Sequence, residues 1–397
     1  MKTVMILGAG IYQVPLIKQA KKMGLRVIVV SYKGNYPGIP LADIFLDINT
    51  TDHEAVCRAA KEYGIDGIVT AGTDVCVPSL GYTAEKLGLP GPDFAAACSS
   101  MNKVLMKNAF KAYGVATAEH GSFVDAEAGA EFAASIGYPV MVKIPDSSGS
   151  RGVIKVNSYD EFAQAWNNVS KISRSKEIIV EKYLDGVEYG AQAFPDGKGS
   201  YRVIITDKKT TQPPQSAPVG HVVPADLPEN IYRSAAEEIS RAASSLKLKD
   251  CVVNADWMLV GDKPYILEIG ARMGATCLPE IISLYTGVNV YEYLIRLALG
   301  ETVEFAAANQ CAAAARLLRS ERSGVLEAVY VPDWIKQHPE LVDLSFDYQP
   351  GEQVNKFTVG PDRIGQLIVR GGNRAEAEDL AEKMVADIEI KVKDAEE

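Results

Sequence analysis

The sequence predicts a mixed fold in which a parallel α/β domain is followed by a larger α+β region. The first ninety or so residues alternate apolar strands with amphipathic helices, beginning with TVMILGAG and VPLIKQAKKMG, and this alternation is typical of a parallel sheet. Later, CVVNADWMLVGDKPYILEIGAR contains two apolar runs joined by a turn, which indicates an antiparallel hairpin. A chain of 397 residues exceeds what one hydrophobic core usually holds. Two or three domains are therefore expected, and the order of the predicted elements divides the chain into residues 1–92, 93–305 and 306–397.

Proline, glycine and capping residues locate the first boundary and the main helices. The segment GLPGPD marks the end of the first part. In the second part, SSMNKVLMKNAFKAYG predicts a helix that begins at Ser99 or Ser100 and ends at Gly114. Another helix is predicted from Pro228 to about Leu246. The third part ends with a strand, IGQLIVRG, and an amphipathic helix whose apolar face carries Leu380, Met384 and Ile388.

The composition narrows the possible partners and surroundings. Apolar residues make up 47% and charged residues 23%, as in ordinary globular proteins, and the net charge of −10 argues against nucleic acid or an anionic membrane as the main partner. Six cysteines are scattered without CxxC pairs, which indicates neither a disulfide framework nor a zinc site, but a reducing cytoplasm. The segment MKTVMILGAG predicts a first strand rather than a signal peptide, and no apolar run is long enough to span a bilayer.

Two glycines after the first strand raise the question of a dinucleotide site. Gly8 and Gly10 match the first half of the fingerprint G-x-G-x-x-G, but Gln13 stands where the third glycine belongs. The second strand ends in Ser-Tyr-Lys, without the acidic residue that would bind a ribose. A tight β–α turn that borders a substrate pocket is therefore preferred over a dehydrogenase.

The hairpin places two carboxylates opposite each other. If the strands pair around Asp262, then Asp256 faces Glu268 and Asn254 faces Gly270, all on one side of the sheet because side chains alternate. Like charges about 5 Å apart destabilise a sheet unless a cation lies between them. A polar, solvent-facing side of the hairpin is the simpler alternative. Bound Mg²⁺ explains the pair better, since it prefers oxygen ligands and its coordination could be completed by substrate phosphates.

Several polar residues elsewhere fit a nucleotide. Lys143 ends an apolar strand and precedes DSSGSRG, a segment whose backbone N–H groups and hydroxyls suit phosphates, although a plain turn has the same composition. Lys103 lies in the first turn of a predicted helix, where a solvated lysine is the ordinary interpretation. Glu181 ends a strand and Glu188 follows seven residues later, so that a strand edge and an acid could bind adenine and ribose.

Taken together and in this order, these elements resemble the ATP-grasp superfamily, in the branch of biotin carboxylase and the large subunit of carbamoyl phosphate synthase. The matching segments are MNK, MVK, SSGSRG, VEKYL, GVEYG and the hairpin D…EIGAR. The resemblance covers essentially the whole chain. It implies a pre-ATP-grasp substrate domain over residues 1–92, a two-lobed ATP-grasp module over 93–305 with a cap lobe at about 110–185, and a small C-terminal subdomain over 306–397.

The resemblance also implies roles for single residues. Lysines and the loop would contact ATP phosphates, and the strand end would hold adenine, with the ribose on Glu188. The implied ATP-binding set is Lys103, Lys143, Ser148, Gly149, Ser150, Gly152, Glu181, Lys182, Tyr183, Leu184 and Glu188. Asp256 and Glu268 would bind Mg²⁺ or Mn²⁺, and Arg272 the reacting acyl phosphate.

One position departs from the family motif E-x-N-x-R, whose Asn is a metal ligand. Gly270 stands in its place. Either water replaces this ligand, or Asn254 reaches across from the opposite strand. We expect that Asn254 compensates.

The remaining candidates concern the substrates. His221, in a GH-x-x-P segment similar to that of amino-acid ligases in this superfamily, is a second catalytic candidate, although a structural loop histidine is equally compatible. The predicted substrate residues are Thr73, Asp74, Gly274 and Cys277, with Cys277 more typical of a small buried residue than of a nucleophile.

The function that these features predict is an ATP-dependent carboxylate–amine ligase with small-molecule substrates, amino acids among them. It would form an acyl phosphate and release ADP and phosphate. The alternatives are a ribotide ligase or carboxylase of purine biosynthesis with the same fold, and a nucleotide-binding regulatory module without turnover. A homodimer is common in proteins of this resemblance.

Overall fold

The computed structural model describes most of the chain. The described residues are 1–145, 152–173, 175–197, 199–211, 217–301, 303, 305 and 311–394. Within these ranges no helix is both long enough and apolar enough to cross a membrane.

The N-terminal part forms the predicted parallel sheet. Its four strands are arranged in the order β3-β2-β1-β4, and all neighbouring pairs are parallel. The strands are β1 (Thr3–Leu7), β2 (Arg26–Ser31), β3 (Ile44–Asp47) and β4 (Gly67–Val69), and the helices are α1 (Val14–Lys22), α2 (His53–Tyr63) and α3 (Val77–Leu87). The short strand β3 and the helix α3 were not among the predicted elements. Parallel strands leave their carboxyl ends at one edge, where the loop after β4 begins.

Two helices precede the next sheet, and here one prediction is wrong. The helix α4 spans Phe94–Met101 and α5 spans Lys103–Ala112, so that Ser99 and Ser100 lie inside α4 and do not cap α5. Asn102 is the N-cap: its side chain accepts hydrogen bonds from the backbone N–H groups of Val104 and Leu105. Asparagine is among the strongest N-caps, which explains why the chain breaks at this position.

A small four-stranded sheet, which we call the cap lobe sheet, follows with the order β5-β8-β6-β7. Its strands are β5 (His120–Phe123), β6 (Val140–Lys143), β7 (Val153–Val156) and β8 (Ile178–Lys182), and its helices are α6 (Ala126–Ile136) and α7 (Tyr159–Ile172). In β6, Val140 and Val142 are fully buried in a core with Phe162 and Trp166. The alternation of side chains therefore turns Lys143 to the opposite face.

The largest sheet has eight strands in the order β13-β12-β9-β10-β11-β14-β18-β16, and every neighbouring pair is antiparallel. The strands are β9 (Val187–Pro195), β10 (Tyr201–Thr210), β11 (Pro218–Val223), β12 (Val253–Val260), β13 (Lys263–Gly270), β14 (Ala312–Leu318), β16 (Leu341–Phe346) and β18 (Gly365–Gly371). The sheet thus continues across residue 305 into the C-terminal part.

Helices and a minor sheet cover this large sheet. The helices are α8 (Glu229–Ser245), α9 (Leu278–Thr286), α10 (Val290–Ala298), α11 (Asp333–Lys336) and α12 (Arg374–Asp387); the minor sheet contains β15 (Gly324–Tyr330), β17 (Gln353–Val354) and β19 (Glu389–Lys393). The observed α8 agrees with the helix predicted from Pro228 to Leu246. In α12 the buried face consists of Ala377, Ala381 and Met384, while Leu380 is only partly buried and Ile388 lies just beyond the helix.

Candidate active site

One cavity of about 1740 Å³ lies where the N-terminal loops, the cap lobe sheet, the hairpin β12–β13 and the C-terminal part meet. It brings together most of the residues that the sequence singled out. Those in its lining are Thr73, Asp74, Lys103, Lys143, Glu181, Lys182, Tyr183, Leu184, Glu188, His221, Asn254, Asp256, Glu268 and Arg272. Ser148, Gly149 and Ser150 lie outside the described residues. Gly152 is described. A Cβ atom at this position would lie only 2.7 Å from the Ile144 side chain, so the absence of a side chain at Gly152 permits its backbone to pack closely against Ile144.

The hairpin has the register that the sequence predicts at its functional end. Asp256 pairs with Glu268 and Asn254 pairs with Gly270. Near the turn the register differs, because Val260 pairs with Lys263 and a bulge between Asp256 and Trp257 absorbs one extra residue. The turn therefore has two residues rather than three. The bulge restores the pairing that places both carboxylates on the cavity face.

Each of the opposed carboxylates is paired with a lysine. Lys103 Nζ lies 3.0 Å from Glu268 Oε2, and Lys208 Nζ lies 2.8 Å from Asp256 Oδ1 and 2.6 Å from Glu188 Oε1. Burial alone would raise the pKa of Glu268, but Lys103 lowers it to about 2. Burial raises the pKa of Asp256, and Lys208 offsets this only in part because Glu188 and Glu268 are also near.

Lys208 is a site residue that the sequence did not single out. The segment TDKKTT contains two adjacent lysines. Because side chains alternate between the two faces of a strand, only one of them can face the cavity, and the placement of β10 in the sheet decides which. Lys208 has a side chain 8% exposed, whereas the Lys209 side chain is 47% exposed and contacts Glu382. The alternation of Thr206, Lys208 and Thr210 on one face was the available signal.

The residues around Asp256 and Glu268 fit a divalent cation with incomplete protein coordination. Two carboxylates face each other, and ammonium groups neutralise them in this structure. Within the described ranges, no group of three or more His, Cys, Asp or Glu side chains forms a complete metal site. Such a half-site suits Mg²⁺, which usually takes one or two carboxylates and completes its shell with water and phosphates.

Gly270 has a physical reason that the sequence alone did not reveal. An ideal Cβ at this position would lie 3.1 Å from Asp74 Oδ1 and about 4 Å from the Arg272 guanidinium. A side chain at this position would therefore crowd the Asp74 carboxylate, which would have to shift to admit it. Asn254, the predicted substitute ligand, accepts a hydrogen bond on Oδ1 from Gln192 Nε2 at 2.6 Å. That Asn254 compensates for Gly270 stays a prediction.

Arg272 and Asp74 form a bidentate ion pair between the hairpin and the N-terminal part. The distances are 2.7 Å from Nε to Oδ1 and 2.8 Å from Nη2 to Oδ2, and both side chains are less than 20% exposed. A parallel bridge between Ala71 and Met273 lies beside the pair. Fork-shaped pairing of this kind fixes the orientation of the guanidinium.

The end of the cavity at the cap lobe sheet contains a second buried cluster of charges. Glu181 forms ion pairs with Lys143 and with Lys107, whose Nζ lies 3.2 Å from Oε2. The side chains of Glu181 and Lys107 are each 3% exposed. Burial would raise the pKa of Glu181, but the two lysines lower it to about 2.

The strand end after Glu181 also contributes to the lining of the cavity. Lys182 turns its ammonium away and donates to the Gly137 carbonyl at 2.8 Å. The Tyr183 N–H donates to the Pro139 carbonyl, at 3.2 Å. The Lys182 N–H donates to the Glu119 carbonyl at 2.8 Å. Lys182, Tyr183 and Leu184 line the cavity, so a base could contact only the remaining backbone groups of this segment.

Three predicted residues have surroundings that limit their roles. The Gly274 N–H donates to Gln192, and Cys277 is 3% exposed with Sγ 3.1 Å from Gln366 Oε1; both lie behind the cavity wall. Burial raises the pKa of the Cys277 thiol well above its usual value, so this residue is not an activated nucleophile. His221 lines the cavity, but burial lowers its pKa to about 3, which makes it neutral and weakly basic.

Comparisons with known proteins agree with this geometry. The ATP-grasp domain model matches residues 136–280, and the model of the L-amino acid ligase C-terminal domain 2 matches residues 316–393. An uncharacterized protein of Sinorhizobium fredii, y4rH, is 26% identical over 352 residues, which are 86% of this chain and 72% of that protein.

Two solved structures share the fold over nearly their whole length. A phosphoribosylglycinamide synthetase from Anaerococcus prevotii is 28% identical with a TM-score of 0.84, and the match covers 99% of this chain and 100% of that one. An L-amino acid ligase from Bacillus licheniformis is 20% identical with a TM-score of 0.85, and the match covers 99% of both chains. The predicted fold class and the resemblance to the ATP-grasp superfamily of ligases are thereby confirmed: the chain contains an ATP-grasp domain over residues 136–280 and an L-amino acid ligase C-terminal domain 2 over residues 316–393.

Proposed function

We propose that this protein is an ATP-dependent carboxylate–amine ligase that activates a small carboxylate, such as that of an amino acid, as an acyl phosphate. The observation that carries this proposal is the row of charged groups along one cavity. From the strand end at Glu181, the row passes the opposed carboxylates Asp256 and Glu268 and reaches the guanidinium of Arg272. Enzymes of this fold bind adenine nucleotides with magnesium, so ATP and Mg²⁺ are the proposed cofactors here.

The nucleotide would be held by groups that now pair with one another. We assign adenine to Glu181 and to the backbone of Lys182–Leu184, and the ribose to Glu188. Lys103, Lys143 and Lys208 can exchange their present carboxylate partners for phosphate oxygens. Such an exchange keeps the lysine charges compensated, and the magnesium would then compensate Asp256 and Glu268 in place of the lysines.

Asp256 and Glu268 would hold the magnesium. When bound, the ion neutralises phosphate charge and orients the γ-phosphate for transfer. The chain's own contribution is a rigid hairpin, whose bulge keeps the two carboxylates opposite each other. Asn254 is proposed as an additional oxygen donor in place of the residue missing at Gly270.

The proposed reaction needs no covalent enzyme intermediate. A carboxylate oxygen of the substrate attacks the γ-phosphorus, the bond to the β-phosphate oxygen breaks, and ADP leaves. The amine nitrogen then attacks the acyl carbon, phosphate leaves, and the amine loses a proton. Arg272 would stabilise the acyl phosphate, and Asp74 fixes its orientation. With its low pKa, His221 suits hydrogen bonding to substrate better than proton transfer.

The far end of the cavity favours an amine over a ribotide phosphate. Where the N-terminal and C-terminal parts border the cavity, its lining includes Tyr12, Asp347, Tyr348 and Glu352. The Arg363 guanidinium lies behind this lining and is paired with Asp347, its Nε 2.7 Å from Oδ2. Asp347 is thus neutralised by Arg363, and Glu352 is the carboxylate here that would attract an ammonium group and repel a phosphate. Together with the match of residues 316–393 to the L-amino acid ligase C-terminal domain 2, this supports the amine ligase over the ligase of a purine ribotide.

The test is release of ADP from MgATP in the presence of pooled amino acids, pooled small carboxylic acids, or ribotide substrates. Amino-acid-dependent release that disappears without Mg²⁺ is the expected result. A control is Arg272→Lys, which keeps the charge but loses the fork and should reduce this release at least about a hundredfold. Release only with ribotides would establish the purine-pathway alternative. ATP binding without release from any pool would establish a regulatory module.

Two further expectations belong to this proposal. The six cysteines all have free thiols, which supports action in the reducing cytoplasm. The proposed partners are small molecules and a second copy of the chain. Light scattering of the purified protein tests the dimer.

A further inference from the structure

Lys107 is a buried charge that neither the proposed catalysis nor the family motif uses. It lies on α5, one turn after Lys103, and its residue surface is 2% exposed. Its ammonium donates to Thr117 Oγ1 at 2.5 Å, and Thr117 in turn donates to the Ile266 carbonyl of β13 at 2.7 Å. Lys107 is thus anchored to the hairpin side of the cavity. Burial lowers its pKa despite the nearby Glu181, so its charge is held at an energetic cost.

Glu181, on the cap lobe strand β8, has one lysine at each carboxylate oxygen. Lys107 Nζ lies 3.2 Å from Oε2, and Oε1 accepts from Lys143. Oε2 is inaccessible to solvent, whereas the Glu181 residue lines the cavity. Oε1 therefore becomes available to accept a hydrogen bond from a ligand when Lys143 turns to the phosphates, while Lys107 stays beside Oε2.

On the basis of the proposed function, we propose that Lys107 is a positioning residue that keeps Glu181 ionised and thereby makes the site select 6-amino purines over 6-oxo purines. When Lys143 turns to the phosphates, Glu181 keeps only Lys107 as a close cation. An ionised carboxylate can only accept hydrogen bonds. It matches the 6-amino group of adenine and opposes the 6-oxygen of hypoxanthine.

Without the charge of Lys107, burial would favour the protonated form of Glu181. The carboxyl O–H could then donate to a 6-oxygen, and the distinction between the two bases would be lost. His120, the register partner of Glu181 on β5, cannot replace Lys107, because burial lowers the pKa of His120 and leaves it neutral. The selectivity thus depends on one charge supplied from the hairpin side.

The experiment measures by calorimetry the dissociation constants of MgATP and MgITP for the full-length protein. We compare Lys107→Met, the polar variant Lys107→Gln and the charge-preserving Lys107→Arg. The matched control is Lys111→Met, which removes an exposed lysine one turn further along the same helix. The wild type and the control should bind ATP at least about tenfold more tightly than ITP, as expected for one hydrogen bond to a charged group.

In Lys107→Met and Lys107→Gln the ratio of the MgITP dissociation constant to the MgATP dissociation constant should fall at least about tenfold. Lys107→Arg should retain the wild-type ratio. If only one of the two neutral variants folds, that variant decides the result. If neither folds, Thr117→Val is measured instead, because it removes the hydroxyl to which Lys107 donates and should lower the same ratio. An unchanged ratio in a folded neutral variant would overturn the role of Lys107 while leaving the ligase proposal intact. A wild type that binds ATP and ITP equally would also overturn it. Binding of neither nucleotide would instead refute the proposed function.

Discussion

At the scale of the residue, the candidate site consists of charges that neutralise one another. Glu181 is the clearest case, because it lies between two lysines and is almost inaccessible to solvent. The pKa of Glu181 is about 2, against a usual value of 4.5, because the lysines outweigh burial. A shift of this size corresponds to about 3 kcal/mol of stabilisation at neutral pH.

The sign of this shift predicts how stability depends on pH. A carboxylate whose pKa is lowered on folding stabilises the protein fully above pH 4.5, and this contribution disappears as the pH falls towards 2. We expect Glu181→Gln to lower the midpoint of thermal unfolding at pH 7, and the difference from wild type to shrink between pH 4.5 and pH 3. Calorimetry at each pH measures it. Glu131→Gln, an exposed change on α6, should show no such trend, and a difference for Glu181→Gln that stays constant with pH would contradict the prediction.

Gly270 shows how one missing side chain changes the neighbouring contacts. Asp74 Oδ1 lies 3.1 Å from the position of a Cβ at this residue, and the same carboxylate forms the fork with Arg272. An asparagine restored here would compete with Asp74 for that space. The departure from the family motif and the ion pair to the N-terminal part are thus one feature.

This interpretation predicts that the two positions are coupled. Gly270→Asn alone should displace Asp74 and reduce turnover, whereas combined with Asp74→Ala it should reduce turnover less than the two single changes predict. A double-mutant cycle on kcat/KM should give a coupling energy of at least about 1 kcal/mol. The concentration of Mg²⁺ for half-maximal activity is measured in the same series. Additive effects would show that Asp74 and position 270 act independently.

At the scale of the element, α5 positions two lysines of the cavity through its N-terminus. Lys103 is the first helical residue, and its backbone N–H donates to the Pro145 carbonyl at 3.0 Å. Lys107 follows one turn later on the same side. The Asn102 cap therefore determines where both ammonium groups lie.

Removal of this cap should affect both stability and binding. Asn102→Ala should cost about 1 kcal/mol of folding free energy and also weaken ATP binding, because the first turn carries Lys103. Asp125→Ala is the matched control: Asp125 caps α6 in the same way, by accepting from Glu127 and Ala128, at the other side of the cap lobe sheet. It should cost similar stability without changing the dissociation constant of ATP. Equal effects of both variants on binding would refute a local role of Asn102.

The hairpin shows which parts of the site could be predicted from the sequence. The alternation of side chains and the glycine turn together predict that Asp256 faces Glu268. This pairing is predictable because the two strands of the hairpin are close in the chain and a short turn fixes their register. Lys208 could not be assigned in this way. Its contact with Asp256 spans 48 positions and depends on β9 lying between β10 and β12. The same holds for Asp74 beside Gly270, since no local pattern reports a contact between distant segments.

At the scale of the whole molecule, the eight-stranded sheet joins regions that the sequence divides at residue 305. The strand β14 pairs with β11 on one side and β18 on the other. It also contributes Ala313, Ala315 and Leu317 to the core that includes β1 and α1. The predicted boundary at this position stays a prediction, but the sheet and its core extend across it.

This continuity predicts the behaviour of a shortened chain. Residues 1–305 alone would expose the edge of β11 and the apolar residues that β14 and α12 cover. We expect this fragment to aggregate or to lack fixed tertiary structure, as judged by near-ultraviolet circular dichroism and calorimetry. Removal of residues 395–397 serves as the control and should leave the spectrum unchanged. A folded fragment that binds ATP would show that the first two parts are autonomous.

The pairing of charges in the cavity also has a kinetic consequence. Among the described residues, the ion pairs of its central part join five cationic side chains to five carboxylates: Lys103, Lys107, Lys143, Lys208 and Arg272 to Asp74, Glu181, Glu188, Asp256 and Glu268. With no net local charge, and a chain that carries −10 in total, the protein exerts little long-range attraction on an anionic nucleotide. Electrostatic steering should therefore contribute little to the encounter. We expect the association rate constant of MgATP, measured by stopped flow, to vary little or to rise slightly with ionic strength. A steep fall with ionic strength would instead show that uncompensated positive charge at the cavity entrance attracts the nucleotide.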